Sequence, residues 1–191
     1  MKIIYTDYNS SGEIAVFAGG DDGLLKPADA FYIPDFAASL GCVPQFVYKS
    51  EKLGKYIGAR FASRYYATYA LALRFYAESL AEELKGKGLP YAAASSFEGC
   101  LALSDFEPLY SGGSYPELRL SLNKEEAYEL HPGDIPMNPD EVLAHASVYY
   151  MIKMGDIFCS GNRFRLSGLK RGDIIRLTSS CRDTGLELVL K

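Results

Sequence analysis

Alternating apolar and polar positions dominate this chain of 191 residues, and they predict strands before anything else. "MKIIY" reads as a first strand and "SSGEIAVFAGGDDG" as a second one set between turn-forming residues. "LLKPADAFYIP" runs extended, because Pro27 and Pro34 hold Lys26 and Ile33 away from helical geometry. "GCVPQFVYKS" is a further strand, and the missing N–H of Pro44 places it at a sheet edge or at a strand start. "LPYAAASSF" and "CLALSDF" add two more, followed by a turn at "YSGGSYPE". "LRLSLNKEEAYEL" alternates almost strictly, with Leu118, Leu120 and Leu122 on one face, and turns at "NKEE" to make a hairpin.

Helical patterns are fewer. Residues 51–87 have the alanine, leucine and glutamate content of a helix, yet "YATYALALRF" also alternates, with Ala67, Tyr69, Leu71 and Leu73 on one face. One helix of that length would be unusual in a compact domain, so the segment divides into a helix, a buried strand from about Tyr65 to Arg74, and a helix from about Ala77. "NPDEVLAHASVYYMIKM" is the best-defined helix: Asn138 is the N-cap, Pro139 takes the first helical position, Glu141 closes a capping box and Gly155 is the stop. Two Gly-Asp phrases, "KMGDIFCSGN" and "KRGDIIRLTS", then launch strands at 157–160 and 174–178, and "GLELVL" closes the sheet. These elements predict a strand-dominated α+β protein with a few helices, in which residues 1–191 form a single domain.

Composition narrows the function classes. A hydrophobic content of 48% supports a substantial core, and 20 basic against 24 acidic residues give a net charge of -4 with no basic run. Nucleic acid and membrane surfaces are therefore not expected partners. The first residues read as a strand and not as a signal, and no apolar run reaches the length of a membrane span, which makes a cytoplasmic protein the expectation. Cys42, Cys100, Cys159 and Cys181 are scattered and far from His131 and His145, a pattern of free, mostly buried thiols in place of a zinc site or disulfide framework. His145 lies mid-helix with no acid spaced for a triad and reads as a core or half-buried histidine. The tyrosine-rich positions Tyr65, Tyr66, Tyr69, Tyr76, Tyr149 and Tyr150, with Phe61 and Phe75, suit a core or a dimer seam better than a ligand cage.

The order of the pieces resembles the C-terminal catalytic domain of the fumarylacetoacetate hydrolase family. "KIIYTDYNS" is similar to that family's first strand and its "NY" turn, "LLKPADAF" to its "F-x-KP-x-S-A" segment, and "LRLSLNKEE" to its "L-x-L-x-VNGE" hairpin. A helix followed by "MGDIFCSGN" and "LKRGDIIRL" resembles its "PGD-apolar-apolar-x-TGTP" and "L-x-x-GD-x-V" phrases. The resemblance implies a mixed β-sheet or β-roll with flanking helices, a homodimer, and hydrolase, isomerase or decarboxylase chemistry on 2-oxo or β-diketo acids. It also implies a magnesium or manganese ion, held by three carboxylates and acting as a Lewis acid.

Against that pattern, Val43 and Gln45 stand at the two glutamate positions and Ala70 at the aspartate, so the resemblance leaves this chain without the metal-ligand carboxylates. No cofactor is accordingly expected. Lys26, Arg74, Gly155, Asp156, Gly161, Gly172 and Asp173 keep the pattern, whereas Ser95 replaces the family lysine, Glu98 follows it, and Glu13 falls near the family histidine. Arg74 either grips a small carboxylate ligand or pairs with Glu78, and Lys26 is either an anion contact or a solvated edge charge. Ser160 and Asn162 either line a polar cleft or serve a turn. Two functions stay open: a binding or interaction module that has lost metal-dependent catalysis, or an active enzyme with re-placed groups such as Glu13 and Glu98.

Overall fold

Period-two side-chain alternation sorts the apolar residues of this chain onto the faces of two sheets, seen in a computed structural model that describes residues 1–26, 30–109, 115–180 and 182–191. β1 (Lys2–Tyr8) and β2 (Ile14–Gly20) form an antiparallel hairpin. β3 (Leu40–Ser50) leads through a single helical turn, α1 (Ala59–Ala62), into β4 (Tyr66–Ala77), and the two strands pair from Leu40 opposite Ala77 to Ser50 opposite Tyr66. After α2 (Glu78–Gly86), the short strands β5 (Leu101–Leu103) and β6 (Glu107–Pro108) line the far edge of β4. The hairpin of β7 (Leu118–Leu122) and β8 (Glu125–Leu130) begins the second sheet, and α3 (Pro139–Tyr149) returns the chain to the first. There β9 (Ile157–Cys159) runs parallel to β1 and antiparallel to β3, and β10 (Leu166–Leu169) also lies beside β3. β11 (Ile174–Ser179) and β12 (Arg182–Val189) complete the second sheet, in the order β12-β11-β7-β8; the main path of the first is β2-β1-β9-β3-β4-β5.

The large sheet has two unlike faces. On the first, Phe46, Tyr48, Leu71, Leu73 and Phe75 pack against Leu118, Leu120, Ile175 and Leu177 of the second sheet and Val142, Leu143 and Ala146 of α3. Each such fully buried side chain contributes about 1.5–3 kcal/mol, which makes this the main core. On the second face Ile3, Tyr5, Val47, Ala72, Ile157 and Cys159 form a smaller cluster with Cys100 and Leu101. The β3–β4 register sets Val43 opposite Arg74, Gln45 opposite Ala72 and Val47 opposite Ala70, so all six share that second face.

Four expectations are corrected by the fold. Pro44 stands in a central strand, because its nitrogen faces the gap between β9 and β10, where Asn162 Nδ2 donates to the Pro44 carbonyl at 3.1 Å. The helix expected after Glu51 shrinks to one turn, since "SEKLG" runs instead beside residues 147–156 through the Gly54–Ile152 bridge. "LPYAAASSF" contains a 3₁₀ turn at Ala92–Ala94 and no strand. α3 keeps its Asn138–Glu141 capping box but ends at Tyr149, six residues before Gly155. Pro27, residues 110–114 of the turn expected at "YSGGSYPE", and Cys181 lie outside the described residues.

The repeated Gly-Asp phrase is a repeated turn. Lys153 N donates to Asp156 Oδ2 at 2.8 Å and Asp156 N returns a bond to the Lys153 carbonyl at 3.0 Å; Lys170 and Asp173 do the same at 2.8 and 3.1 Å. Gly155 and Gly172 sit at φ 86 and 92, the left-handed third position that such a turn requires. "HPGD" closes with the same pair of bonds, His131 N to Asp134 Oδ2 at 2.8 Å and Asp134 N to the His131 carbonyl at 2.9 Å.

Candidate functional site

Arg74 is the largest of the fully buried side chains, and an arginine is buried only where its charge is matched. Its Nη2 donates to Asp7 Oδ1, and Asp7 Oδ1 also accepts from Arg165 Nη2 at 3.1 Å. The expected pairing with Glu78 is not made: Glu78 instead accepts from Tyr76 OH at 3.2 Å and from Gly168 N at 3.3 Å. Strand periodicity brings the pair together, since Asp7 follows Ile3 and Tyr5 on the inward face of β1 and Arg74 follows Ala70 and Ala72 on β4. The guanidinium carbon lies 5.7 Å from the ring centroids of both Tyr5 and Phe17.

The charge balance of this cluster is uneven. Burial works against the Arg74 cation, but the attraction and hydrogen bond of Asp7 outweigh it and its pKa is raised. Burial raises the Cys100 thiol and pushes Cys159 up to about 12 against the pull of Arg74, and burial likewise raises Tyr5, whose hydroxyl lies 3.4 Å from Cys100 Sγ. The thiols and phenol are therefore neutral near pH 7, and two guanidinium groups face one carboxylate. Arg74 Nε and Nη1 have no hydrogen-bond partner, nor does Nε2 of the fully buried Gln45 on the same face.

Gln45, Ser160 and Asn162 serve one junction. Gln45 Oε1 accepts from Gly161 N at 3.1 Å, Ser160 Oγ accepts from Phe46 N at 3.1 Å, and Asn162 Oδ1 accepts from Phe164 N at 2.9 Å. Gly161 sits at φ 66, and a Cβ there would lie 2.7 Å from the Thr6 carbonyl, so glycine lets this loop close over β1. Ser95 is buried and lies apart from these bonds, its Oγ 3.5 Å from the Ala92 carbonyl. Lys26, Glu13 and Glu98 are exposed. Glu13 closes the β1–β2 turn through Asn9, whereas Gly99, beside Glu98, bonds Asp22 past the other end of that hairpin, roughly 20 Å away at the rise of a strand. The structure does not bring these two acids together. Asp7, Tyr5 and Arg165 were missed from the sequence; Asp7 carried a signal, a carboxylate in phase with Ile3 and Tyr5 on an apolar strand, and Arg165 carried none.

Comparison with known proteins supplies the family. The chain is 30% identical over 160 residues to the mitochondrial oxaloacetate tautomerase FAHD1 of Mus musculus, covering 79% of this chain and 72% of that protein. It belongs to the fumarylacetoacetate hydrolase family. Oxaloacetate tautomerase YcgM of Escherichia coli (strain K12) is 26% identical over 115 residues, 59% of this chain and 52% of that one. Among solved structures, 5-carboxymethyl-2-hydroxymuconate delta-isomerase from Mycobacterium smegmatis shares the fold with a TM-score of 0.82 at 14% identity, over 100% of this chain and 79% of that one. No family model matches the sequence.

One relative corrects the expectation of no cofactor. Fumarylpyruvate hydrolase from Pseudomonas aeruginosa, solved in complex with Mn2+ and pyruvate, has the same fold with a TM-score of 0.84 at 14% identity, over 99% of this chain and 88% of that one. A metal thus belongs to the family's chemistry. The three side chains that the family pattern sets against such an ion do not fit it here. Val43 and Ala70 are fully buried and offer no ligand atom, and the amide oxygen of Gln45 is engaged by Gly161. No group of three His, Cys, Asp or Glu side chains placed to hold an ion occurs among the described residues.

Proposed function

We propose that this fumarylacetoacetate hydrolase-family chain binds a small carboxylate of the 2-oxo acid class on the second face of its large sheet, and that turnover through a three-carboxylate centre has been lost. One observation carries the reading: a fully buried arginine with two unpartnered guanidinium nitrogens stands on the same face as a fully buried, half-partnered glutamine, at the positions where the family pattern gathers its site. Arginine's planar fork binds a carboxylate through paired charge-assisted bonds, and the Gln45 amide supplies a neutral donor beside it. The names of the relatives give the ligand class, since they act on oxaloacetate or hold pyruvate. The alternative, an active enzyme using Glu13 and Glu98, finds no support in their separation.

The test is a calorimetric titration of the protein with pyruvate, alongside an oxaloacetate tautomerisation assay with magnesium and manganese supplied. Binding that disappears in Arg74→Ala, without turnover, is the expected result. Turnover would return the chain to the enzymes, and absence of binding would remove the carboxylate site. The same proposal includes the homodimer: residues 50–56 run beside 147–156, and Leu53, Tyr56, Tyr149, Met151 and Met154 stand exposed along that ribbon as a seam for a second copy.

A further inference from the structure

Asp7 already engages both guanidinium groups of the cluster. Its Oδ1 accepts from Arg74 Nη2 at the bottom of the cluster and from Arg165 Nη2 at its rim, so one carboxylate oxygen of the chain is held by two guanidinium groups. The two arginines differ in freedom. Arg74 is enclosed, its guanidinium carbon 5.7 Å from the ring centroids of Tyr5 and Phe17, whereas the Arg165 side chain is 35% exposed and lies 5.3 Å from the Tyr76 ring centroid. Tyr76 in turn lies flat over Gly41, where a Cβ would come within 2.5 Å of the phenol.

From this geometry we infer that Asp7 is a built-in competitor for the site, and that an external carboxylate binds by taking Arg165 and the free Arg74 nitrogens while Asp7 keeps only part of its hold. The inference rests on the carboxylate-binding reading above and adds its regulation. Three features of the cluster support it. The cluster of Arg74, Arg165 and Asp7 carries a net single positive charge, which one more carboxylate neutralises. Arg74 Nε and Nη1 and Gln45 Nε2 are donors that Asp7 does not satisfy, so a second carboxylate gains bonds that the first leaves unmade. Arg165 alone of the pair reaches solvent, so it changes partners first, and the enclosed Arg74 nitrogens are reached only after it has moved. Arg74 and Arg165 are the groups that touch the ligand, and Asp7 is the residue that contests them.

Removal of the competitor is the test, with pyruvate and acetate as probes. In Asp7→Ala, pyruvate should bind at least about tenfold more tightly than in the unaltered protein, the equivalent of one charge-assisted bond no longer contested. The variant's melting temperature should rise with added acetate or pyruvate by more than that of the unaltered protein, because the external carboxylate replaces the missing internal one. If Asp7→Ala does not fold, the isosteric and uncharged Asp7→Asn makes the same measurement. Arg165→Ala should weaken pyruvate binding, and Arg165→Lys should restore only part of it. If the unaltered protein binds pyruvate and the Asp7 variants bind it equally or more weakly, the competitor role is overturned while the carboxylate site stands. If neither the unaltered protein nor the Asp7 variants bind, both fall.

Discussion

Removing Asp7 and removing Arg74 will not cost the same stability. Without Asp7, Arg74 is a fully buried cation with no hydrogen-bonded partner, a loss of about 3–5 kcal/mol. Without Arg74, Asp7 keeps Arg165, so Arg74→Met, which refills the volume, should cost less than half as much. Urea unfolding of the two variants measures this directly, and equal costs would show that Arg165 does not hold Asp7 in solution. The sequence disclosed only one side of this pair. Arg74 stood out from its apolar strand, and the natural partner by local spacing was Glu78, four residues away. Its actual partner is 67 residues earlier on β1, a contact set by sheet order and invisible to local patterns.

Among the elements, the Gly-Asp turns were legible because everything they need is within four residues: a glycine at positive φ and a carboxylate that closes back on the first amide. The turn at Asp156 does more than its twin. Burial works to raise the Asp156 pKa, but the bonds from the Lys2 ammonium, the Lys2 backbone and Lys153 prevail and lower it. A lowered folded-state pKa means stability that is complete above the ordinary carboxylate range and is lost as pH falls through the folded value. The unaltered protein should therefore lose stability relative to Asp156→Asn below about pH 4, with the gap between them widest near neutrality. Melting curves from pH 3 to 7 check this, and parallel curves would remove Asp156 from the acid response. Pro44 was illegible for the opposite reason. Whether a proline fits a strand depends on what faces its nitrogen, and that is the gap between two strands from far along the chain.

For the whole molecule, the exposed ribbon of Leu53, Tyr56, Tyr149, Met151 and Met154 predicts a mass in light scattering of twice the 21.0 kDa chain, reduced to one chain by Tyr56→Asp with Met154→Asp. A monomer before substitution would sink the seam. Among the described residues no helix is long and apolar enough to cross a membrane. The sequence by itself determined the strand-dominated class, the capped helix at Asn138, the buried β4 and the family likeness, because alternation, caps and turns act within a few residues. Only the tertiary structure decided that Asp7 and Arg165 surround Arg74, that Glu13 and Glu98 are held apart, and that Gln45 is half-satisfied by Gly161. These follow from strand order and register, which bring together positions 67 to 158 residues apart, a distance over which no local pattern carries information.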